Sequence, residues 1–442
     1  MSFPPASARA RRLVRRGPAG DAAEAQPFGF AGQVPLDINR DPLPTRLRPN
    51  REFGALDITE WFGDTSGGVR RYVLEKARYV AGHELLSHVV VVPGSMTSVT
   101  DGVGSRCYRL SGPVIPTQAP YRWMYNAPGI KRIIHHERPD IIEVGSPWLA
   151  PWIAKQIGRR VGIPLVWFFH GNFPRAFSVS PDAGPSALAL RRAGTAAAWR
   201  YVRRVSRLFE LTMVSSDSTA TDLLNAGVER VVRVPLGVDL DIFHPRHRAD
   251  VDAVRHQLGL PAMPCPVVAF MGRLVAEKEL GVLIDAWPEI ERRTDATLLM
   301  VGAGPMEKAL RRRAEQRGIE RIIWHPFEAD RQRMAALLAA VDCYVAPGST
   351  ETFGLAPLEA LACGTPVVSA DLGGVAEQIS RSGAGATFAS GDAGDLARVV
   401  IEMLNGDHKK LGGIGRAYAA REHSWSAVFD RLFAVYRDVV ER

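Results

Sequence analysis

The sequence predicts an α/β protein built from two doubly wound, mostly parallel sheets in tandem. Three observations carry this reading. From Phe53 onward, short apolar runs alternate with helical patterns, as in βαβ units whose strands are covered on both faces. The rhythm breaks between Asp239 and Pro266, where prolines and charges interrupt it, and then resumes. The chain's 442 residues suffice for two or three domains of roughly 100–200 residues, each with a sizeable core.

Strand-like runs in the first series lie at Ala55–Thr59, His88–Val92, Ile141–Val144, Pro164–Phe169, Leu211–Val214 and Val231–Pro235. Helical periodicity falls between most of them, as at Gly68–Val80 and Trp148–Gly158. The second series runs through Val267–Met271, Thr297–Val301, Ile322–Trp324, Cys343–Ala346 and Pro366–Ser369. Trp425, Val428, Leu432, Val435, Tyr436 and Val439 recur at helical spacing near the end. The expected divisions are a flexible basic arm over 1–50, a front domain over 51–238 and a linker over 239–265. A rear domain over 266–422 and a helix over 423–442 that crosses back to the front domain complete them.

The apolar share of 46% and charged share of 23% exclude a disordered or collagen-like chain. No run approaches the roughly 18 apolar residues of a membrane-spanning helix. Cys107, Cys265, Cys343 and Cys363 stand far apart, which argues against a disulfide framework or a zinc site and favours a reducing, cytoplasmic setting. The charge of +8 is uneven: residues 1–235 hold 31 basic against 19 acidic side chains, and residues 236–442 hold 24 against 28. A basic front half suits phosphates or an anionic membrane surface. Nucleic acid is not expected, because the basic residues accompany no reading motif. Arg9, Arg11, Arg12, Arg15 and Arg16 precede the first acid, Asp21, and no long apolar stretch follows them to make a secretory signal. The segment Ser186–Arg207 carries Arg191, Arg192, Arg200, Arg203, Arg204 and Arg207 without an acid. Such a helix either lies on an anionic bilayer or presents a solvated basic face.

Ligands of open α/β sheets bind at the carboxyl ends of the strands, so chemistry is sought there. Gly67-Gly68 opens a helix after the first strand, where backbone N–H groups can approach a phosphate or sugar, or simply make a tight turn. In GRLVAEK, Arg273 and Lys278 follow a strand end and can converge on one diphosphate, the first bidentately and the second as a point charge. Their alternative is a solvated loop in which Lys278 pairs with Glu277 or Glu279. In ETFGLAPLE, Thr352, Phe353 and Gly354 are expected to open a helix, with free N–H groups at Phe353, Gly354 and Leu355. Glu351 is expected just before that helix and Glu359 about two turns along. Carboxylates flanking an anion site suit a hydroxyl-rich ligand. Gly302 and Gly304, in VGAGP, permit close backbone approach, but Glu307 stands where a dinucleotide fingerprint needs glycine. His170, at the end of PLVWFFHG, is placed to reach the cleft.

Together, Gly67-Gly68, His170, GRLVAEK, VGAGP, ETFGLAPLE and Gly373-Gly374 resemble the retaining glycosyltransferases of the large group 1 family, from residue 53 to the end. SGGVRRY and EVGSP look most like the branch that glycosylates membrane lipids and cell-envelope acceptors. The resemblance implies the GT-B fold, two Rossmann-like domains facing each other across a cleft, the front one for the acceptor and the rear one for the nucleotide-sugar. It implies transfer of a glucose- or mannose-type hexose from a UDP- or GDP-sugar to a lipid or saccharide acceptor, with no metal and no cofactor beyond the donor. Arg273 and Lys278 would stabilise the departing diphosphate, Glu359 would hold the ribose and Glu351 the transferred sugar. His170 would touch that sugar, with Gly67 and Gly68 near the phosphates and acceptor. The mechanism implied is front-face attack, the leaving phosphate oxygen taking the acceptor proton. Asp239-Leu240-Asp241 has the D-x-D spacing that holds metal in some sugar transferases, but its place in the linker favours helix capping.

Three features depart from the family pattern. Glu279 follows the lysine where glycine is frequent, Asn172 stands where lipid-directed relatives often carry Asp, and the basic arm has no expected counterpart. Alternatives are a nucleotide-sugar epimerase or hydrolase on the same frame, and a non-catalytic nucleotide-sugar-binding subunit.

Overall fold

The computed structural model describes residues 32–63, 67–116, 121–176 and 185–442. The front sheet holds β1 (Val34–Pro35), β2 (Phe53–Ile58), β3 (Leu86–Gly94), β4 (Ser98–Gly102), β5 (Ser105–Ser111), β6 (Ile141–Val144), β7 (Leu165–Phe168), β8 (Leu211–Val214) and β9 (Val231–Arg233). Its order is β1-β4-β5-β3-β2-β6-β7-β8-β9, parallel from β5 to β9 and antiparallel at the β4 and β1 edge. The rear sheet holds β10 (Val267–Met271), β11 (Thr297–Val301), β12 (Ile322–His325), β13 (Cys343–Ala346), β14 (Val367–Ala370) and β15 (Gly385–Phe388). It is fully parallel in the order β12-β11-β10-β13-β14-β15. Both central parts follow the doubly wound pattern, in which the first strand lies in the middle and the order reverses beside it. This is the GT-B architecture.

The central strands are apolar and buried because helices cover both faces. One continuous apolar core runs from Phe53, Ala55 and Phe168 through Val238 and Phe243 to Val267, Ala269 and Leu358, so the two sheets are tied by burial as well as by chain. The chain crosses between them twice. Val238 N–H donates to His423 O at 2.7 Å, and the His423 imidazole Nδ1 lies 2.9 Å from Leu236 O. Beyond that crossing, the helix Trp425–Val440 is capped by the Ser424 hydroxyl and lies on the front sheet's helix Gly68–Ala81. Its Phe433 and Tyr436 rings stand 6.1 and 6.4 Å from Phe53, and Tyr79 OH donates to Asp430 at 2.6 Å.

The expected arm over 1–50 needs correction. Residues 1–31 lie outside the described residues, but 32–50 are packed: Val34 and Pro35 pair with Val99 and Ser98, and Ile38 is buried. Arg9, Arg11, Arg12, Arg15 and Arg16 fall outside the described residues, whereas Arg46 and Arg48 are bonded into the front domain. Arg48 Nη1 donates to the carbonyls of Val80, His83 and Leu86, and Arg46 Nε to Glu137 O at 3.1 Å, so that the orphan helix-end carbonyls of Val80 and Glu137 find donors.

Candidate functional site

At both strand-order reversals the carboxyl ends open into one crevice, and the loops that carry the candidate residues meet there. Thr352 Oγ1 donates to His170 O at 3.1 Å across the gap, and the Cβ that Gly68 lacks would stand 3.5 Å from Leu355 Cδ1. On the front side, Glu60 ties the β2 and β6 loops together: Ser146 Oγ donates to it at 2.6 Å and Leu149 N–H at 3.0 Å. Burial raises its carboxyl above the usual range against those bonds.

In the rear domain the two cations take separate acids. Lys278 Nζ bonds to Glu351 Oε2, both groups about three-quarters buried. Arg273 is 63% exposed and pairs with Glu277 at 3.0 Å. Its charge also opposes the rise that burial gives the pKa of the half-buried Tyr121 phenol in the front domain. The expected alternative partners of Lys278 are thus engaged elsewhere: Glu277 holds Arg273, and Glu279 accepts from Ser349 N–H at 3.0 Å and from its hydroxyl. Glu279 has φ +49°, a left-handed conformation that glycine adopts more readily, which accounts for glycine being frequent in that place. Its carboxylate is turned towards Ser349.

The helix after Glu351 starts later than expected, at Leu355, with Gly354 at φ +89° as its cap residue and no side-chain cap. Glu359 is therefore one turn along, not two. Phe353 is 3% exposed and its ring packs 5.6 Å from His423, so only its backbone can meet a ligand. Gly374 N–H donates to Glu351 O at 2.7 Å, and Gln378 Nε2 to Phe353 O at 2.6 Å. A Cβ on Gly374 would fall 2.3 Å from Thr352 O, so glycine lets this turn lie against the Glu351 loop.

Gly302 and Gly304 have the same kind of reason. A Cβ on Gly302 would stand 1.9 Å from Gly272 O, and one on Gly304 2.3 Å from Leu274 O. They let the loop after β11 lie against the Arg273 loop, where Leu274 N–H donates to Ala303 O at 2.9 Å. Gly67 differs: no described atom stands within 4 Å of its absent Cβ, which leaves open space at the helix start.

His170 is stacked on Phe168 (4.1 Å, 4°) and meets the edge of Tyr72 (5.1 Å, 63°). Burial, with Lys76 beside it, pushes its pKa down to about 3, so the ring is neutral at physiological pH. Asn172 is turned away: its Nδ2 donates to Asp222 at 2.8 Å.

Sequence reasoning missed Arg71. Its Nη1 lies 3.1 Å from Glu359 Oε1, and beside it Arg331 reaches Glu75 (3.2 Å) and Asp239 (3.4 Å) while Arg78 reaches Asp239 at 2.7 Å. Arg71, Glu75 and Arg78 recur at i, i+4 and i+7 on one helix face, a signal that marks a stripe without saying what it meets. Burial raises the Glu359 carboxyl against Arg71 and Arg331. Asp239 caps the turn after it, accepting from Asp241 and Ile242 N–H groups at 3.2 Å each. Among the described residues, no group of three or more His, Cys, Asp and Glu side chains is placed to hold a metal ion.

A family model described as Glycosyl transferases group 1 matches residues 254–417, and one described as Glycosyltransferase Family 4 matches residues 66–242. The chain is 33% identical over 351 residues to a GDP-mannose-dependent alpha-(1-6)-phosphatidylinositol dimannoside mannosyltransferase of Mycobacterium tuberculosis, covering 77% of this chain and 83% of that one. It is 32% identical over 376 residues to a D-inositol 3-phosphate glycosyltransferase of Catenulispora acidiphila, covering 81% of each. Among solved structures it resembles the sucrose-phosphate synthase of Thermosynechococcus elongatus, with TM-score 0.70 and 19% identity over 88% of this chain and 99% of that one.

Proposed function

The chain belongs to the group 1 glycosyltransferases, and from that premise we propose that it moves a hexose from a GDP- or UDP-sugar to a glycolipid acceptor carrying an inositol phosphate. Mannose from GDP-mannose comes first among the donors, because the mannosyltransferase it resembles is named for that donor and for a phosphatidylinositol acceptor. The second relative is also named for an inositol phosphate.

The observation that carries the reading is the pairing of two acids with two cations at one crevice, Lys278 with Glu351 and Arg71 with Glu359. A donor's diphosphate draws Lys278 and Arg273 to itself, which releases Glu351 to accept bonds from the sugar hydroxyls. Glu359 accepts from the ribose. The backbone at Thr352–Leu355 and at Gly67-Gly68 lies beside the phosphates. The acceptor oxygen bonds to the anomeric carbon from the face the diphosphate leaves, configuration is retained, and the proton passes to the departing phosphate oxygen. Lys278 and Arg273 stabilise the charge that develops there, so the reading calls for no metal or cofactor. His170, neutral through burial, touches the sugar without opposing the positive charge growing on its ring.

Thermal-shift screening of UDP- and GDP-sugars, followed by transfer assays on lipid extracts with and without a chelator, tests this. Chelator-resistant transfer to an inositol-phosphate lipid, with the anomeric configuration of the donor kept, is the expected result. Free sugar or an epimer without transfer points instead to the epimerase or hydrolase reading. Tight donor binding with no turnover on any acceptor points to a non-catalytic subunit.

The front domain also supports peripheral attachment at the cytoplasmic face of an anionic membrane. The helices Ala150–Val161 and Pro185–Ser206 contain no acid. They expose Arg159, Arg160, Arg192, Arg200, Arg203 and Arg204 beside Leu149 and Trp152, the last under the Arg204 guanidinium at 5.3 Å. Vesicles with anionic lipid should bind the protein at low salt and release it at high salt. No binding at low salt overturns this part.

A further inference from the structure

Beneath His170 lies an ionic cluster that the proposed reaction does not use. Lys76, Asp57, Glu143, Tyr72, Tyr436 and His88 are each at most 2% exposed. Asp57 and Glu143 are register partners on β2 and β6, and the helix Gly68–Ala81 lays Tyr72 and Lys76 over them. Lys76 Nζ donates to both Asp57 oxygens, at 2.8 and 2.9 Å, and to Tyr436 OH at 3.0 Å. Tyr72 OH donates to Glu143 Oε2 at 2.9 Å, and Tyr436 OH donates to that same oxygen.

Stability alone is a weak reason for this arrangement, since buried ion pairs often do no better than apolar side chains of the same shape. Its geometry serves another end. Among the described residues, none hydrogen-bonds to the His170 imidazole, so its orientation is set by two rings, Phe168 beneath and Tyr72 at the edge. Phe168 is fixed by its strand. The Tyr72 ring packs on Phe168 (5.1 Å) and Phe429 (5.7 Å), and its hydroxyl is anchored on Glu143, an acceptor it shares with Tyr436 of the helix Trp425–Val440.

We propose that Tyr436 is a positioning residue for His170, acting through Glu143 and Tyr72. The helix that crosses back from the rear domain thereby supports the front wall of the site without touching substrate. The inference deepens the reading above and rests on its placing of His170 at the transferred sugar. Lys76 Nζ already stands 3.3 Å from Glu143 Oε2, so without Tyr436 OH that oxygen has one donor fewer and is drawn closer to Lys76. The anchor of the Tyr72 hydroxyl then shifts, and with it the ring edge that meets His170.

The test uses the full chain labelled with 13C-histidine, the His170 signal being assigned by its loss in His170→Gln. Tyr436→Phe and Tyr72→Phe should each move or broaden that signal. Val439→Ala, which trims the same last helix away from the cluster, should leave it in place. With GDP-mannose and a lipid-extract acceptor, Tyr436→Phe should lower kcat by about 5-fold and leave the donor KM within about 2-fold. Glu143→Gln keeps the acceptor oxygen and should retain more of the rate than Glu143→Ala. An unmoved His170 signal in both tyrosine variants, or an equal movement in Val439→Ala, overturns the proposal. A moved signal with unchanged kcat supports the positioning and counts instead against the sugar contact of His170.

Discussion

The Arg71 guanidinium, in the first turn of a front-domain helix, lies 3.1 Å from the Glu359 carboxylate of the rear domain. Arg71 is 28% and Glu359 12% exposed at the side chain, so the contact is a partly desolvated clasp across the crevice. In the proposed donor complex the ionised Glu359 carboxylate accepts from both ribose hydroxyls, and burial already raises its pKa against the pull of Arg71 and Arg331. Arg71→Ala removes one of those pulls and raises it further. The acid limb of donor affinity should therefore move to higher pH in the variant, as read by calorimetry with GDP and UDP. An unmoved limb takes Arg71 out of the donor site.

Lys278→Ala and Arg273→Ala should each depress kcat by about 10- to 150-fold, the worth of one charge-assisted contact of about 1.5–3 kcal/mol. They should differ in KM. Lys278→Ala strands Glu351, an acid about three-quarters buried, beside the proposed sugar position and should raise the donor KM as well. Arg273 is largely exposed before donor arrives, and its loss should fall mainly on kcat. Steady-state kinetics separates the two, and unchanged turnover in both removes the diphosphate from this place.

At Glu279 a bulky side chain holds a left-handed backbone, φ +49°, while its carboxylate bonds to Ser349. Glu279→Ala loses the bonds and keeps the strain, whereas Glu279→Gly loses both. The glycine variant should be more stable than the alanine variant by about 1 kcal/mol in urea unfolding. The reverse order would show that the strain is negligible.

His423 is buried at the crossing between domains, and burial pushes its pKa down to about 4 from 6.5. Its folded value lies below its unfolded one, so the unfolded chain binds the extra proton. Its share of stability is then lost as pH falls from 6.5 towards 4, by ~1.4 kcal/mol per pH unit. Glu143 works in the opposite sense. Burial raises its pKa from 4.5 to about 7, and stability from that group falls as pH rises through the interval. The difference between wild type and His423→Gln isolates the histidine. Denaturant titrations at acid and neutral pH should show a flatter dependence in the variant; parallel curves refute it.

Much of the architecture is legible in the chain because buried parallel strands are short apolar runs, and helical periodicity fills the intervals. The β4–β5 hairpin escaped that reading. Its Thr100 and Arg106 look solvated but are buried, Arg106 because Glu137 and the Thr45 carbonyl receive it. The strand at Val34–Pro35 escaped too, since two residues carry no period. At the site, glycines marked where loops come close without saying what they approach: Gly302 meets the backbone of Gly272, while Gly67 faces open space. Spacing shows which residues share a helix face. It does not show that the face of Arg71, Glu75 and Arg78 meets another domain, nor that Lys76 is enclosed. Those facts belong to residues hundreds of positions away, as Tyr436 is from Lys76.

The final helix completes a layer that the first strands begin. While the protein is being made, Phe53, Asp57 and Lys76 leave the ribosome long before Tyr436 exists, so the front half waits, open to water on that side, until the helix Trp425–Val440 has emerged. Sealing of the front half is therefore delayed until the rear domain has been made, and a ribosome stalled before Tyr436 would hold that half unsealed.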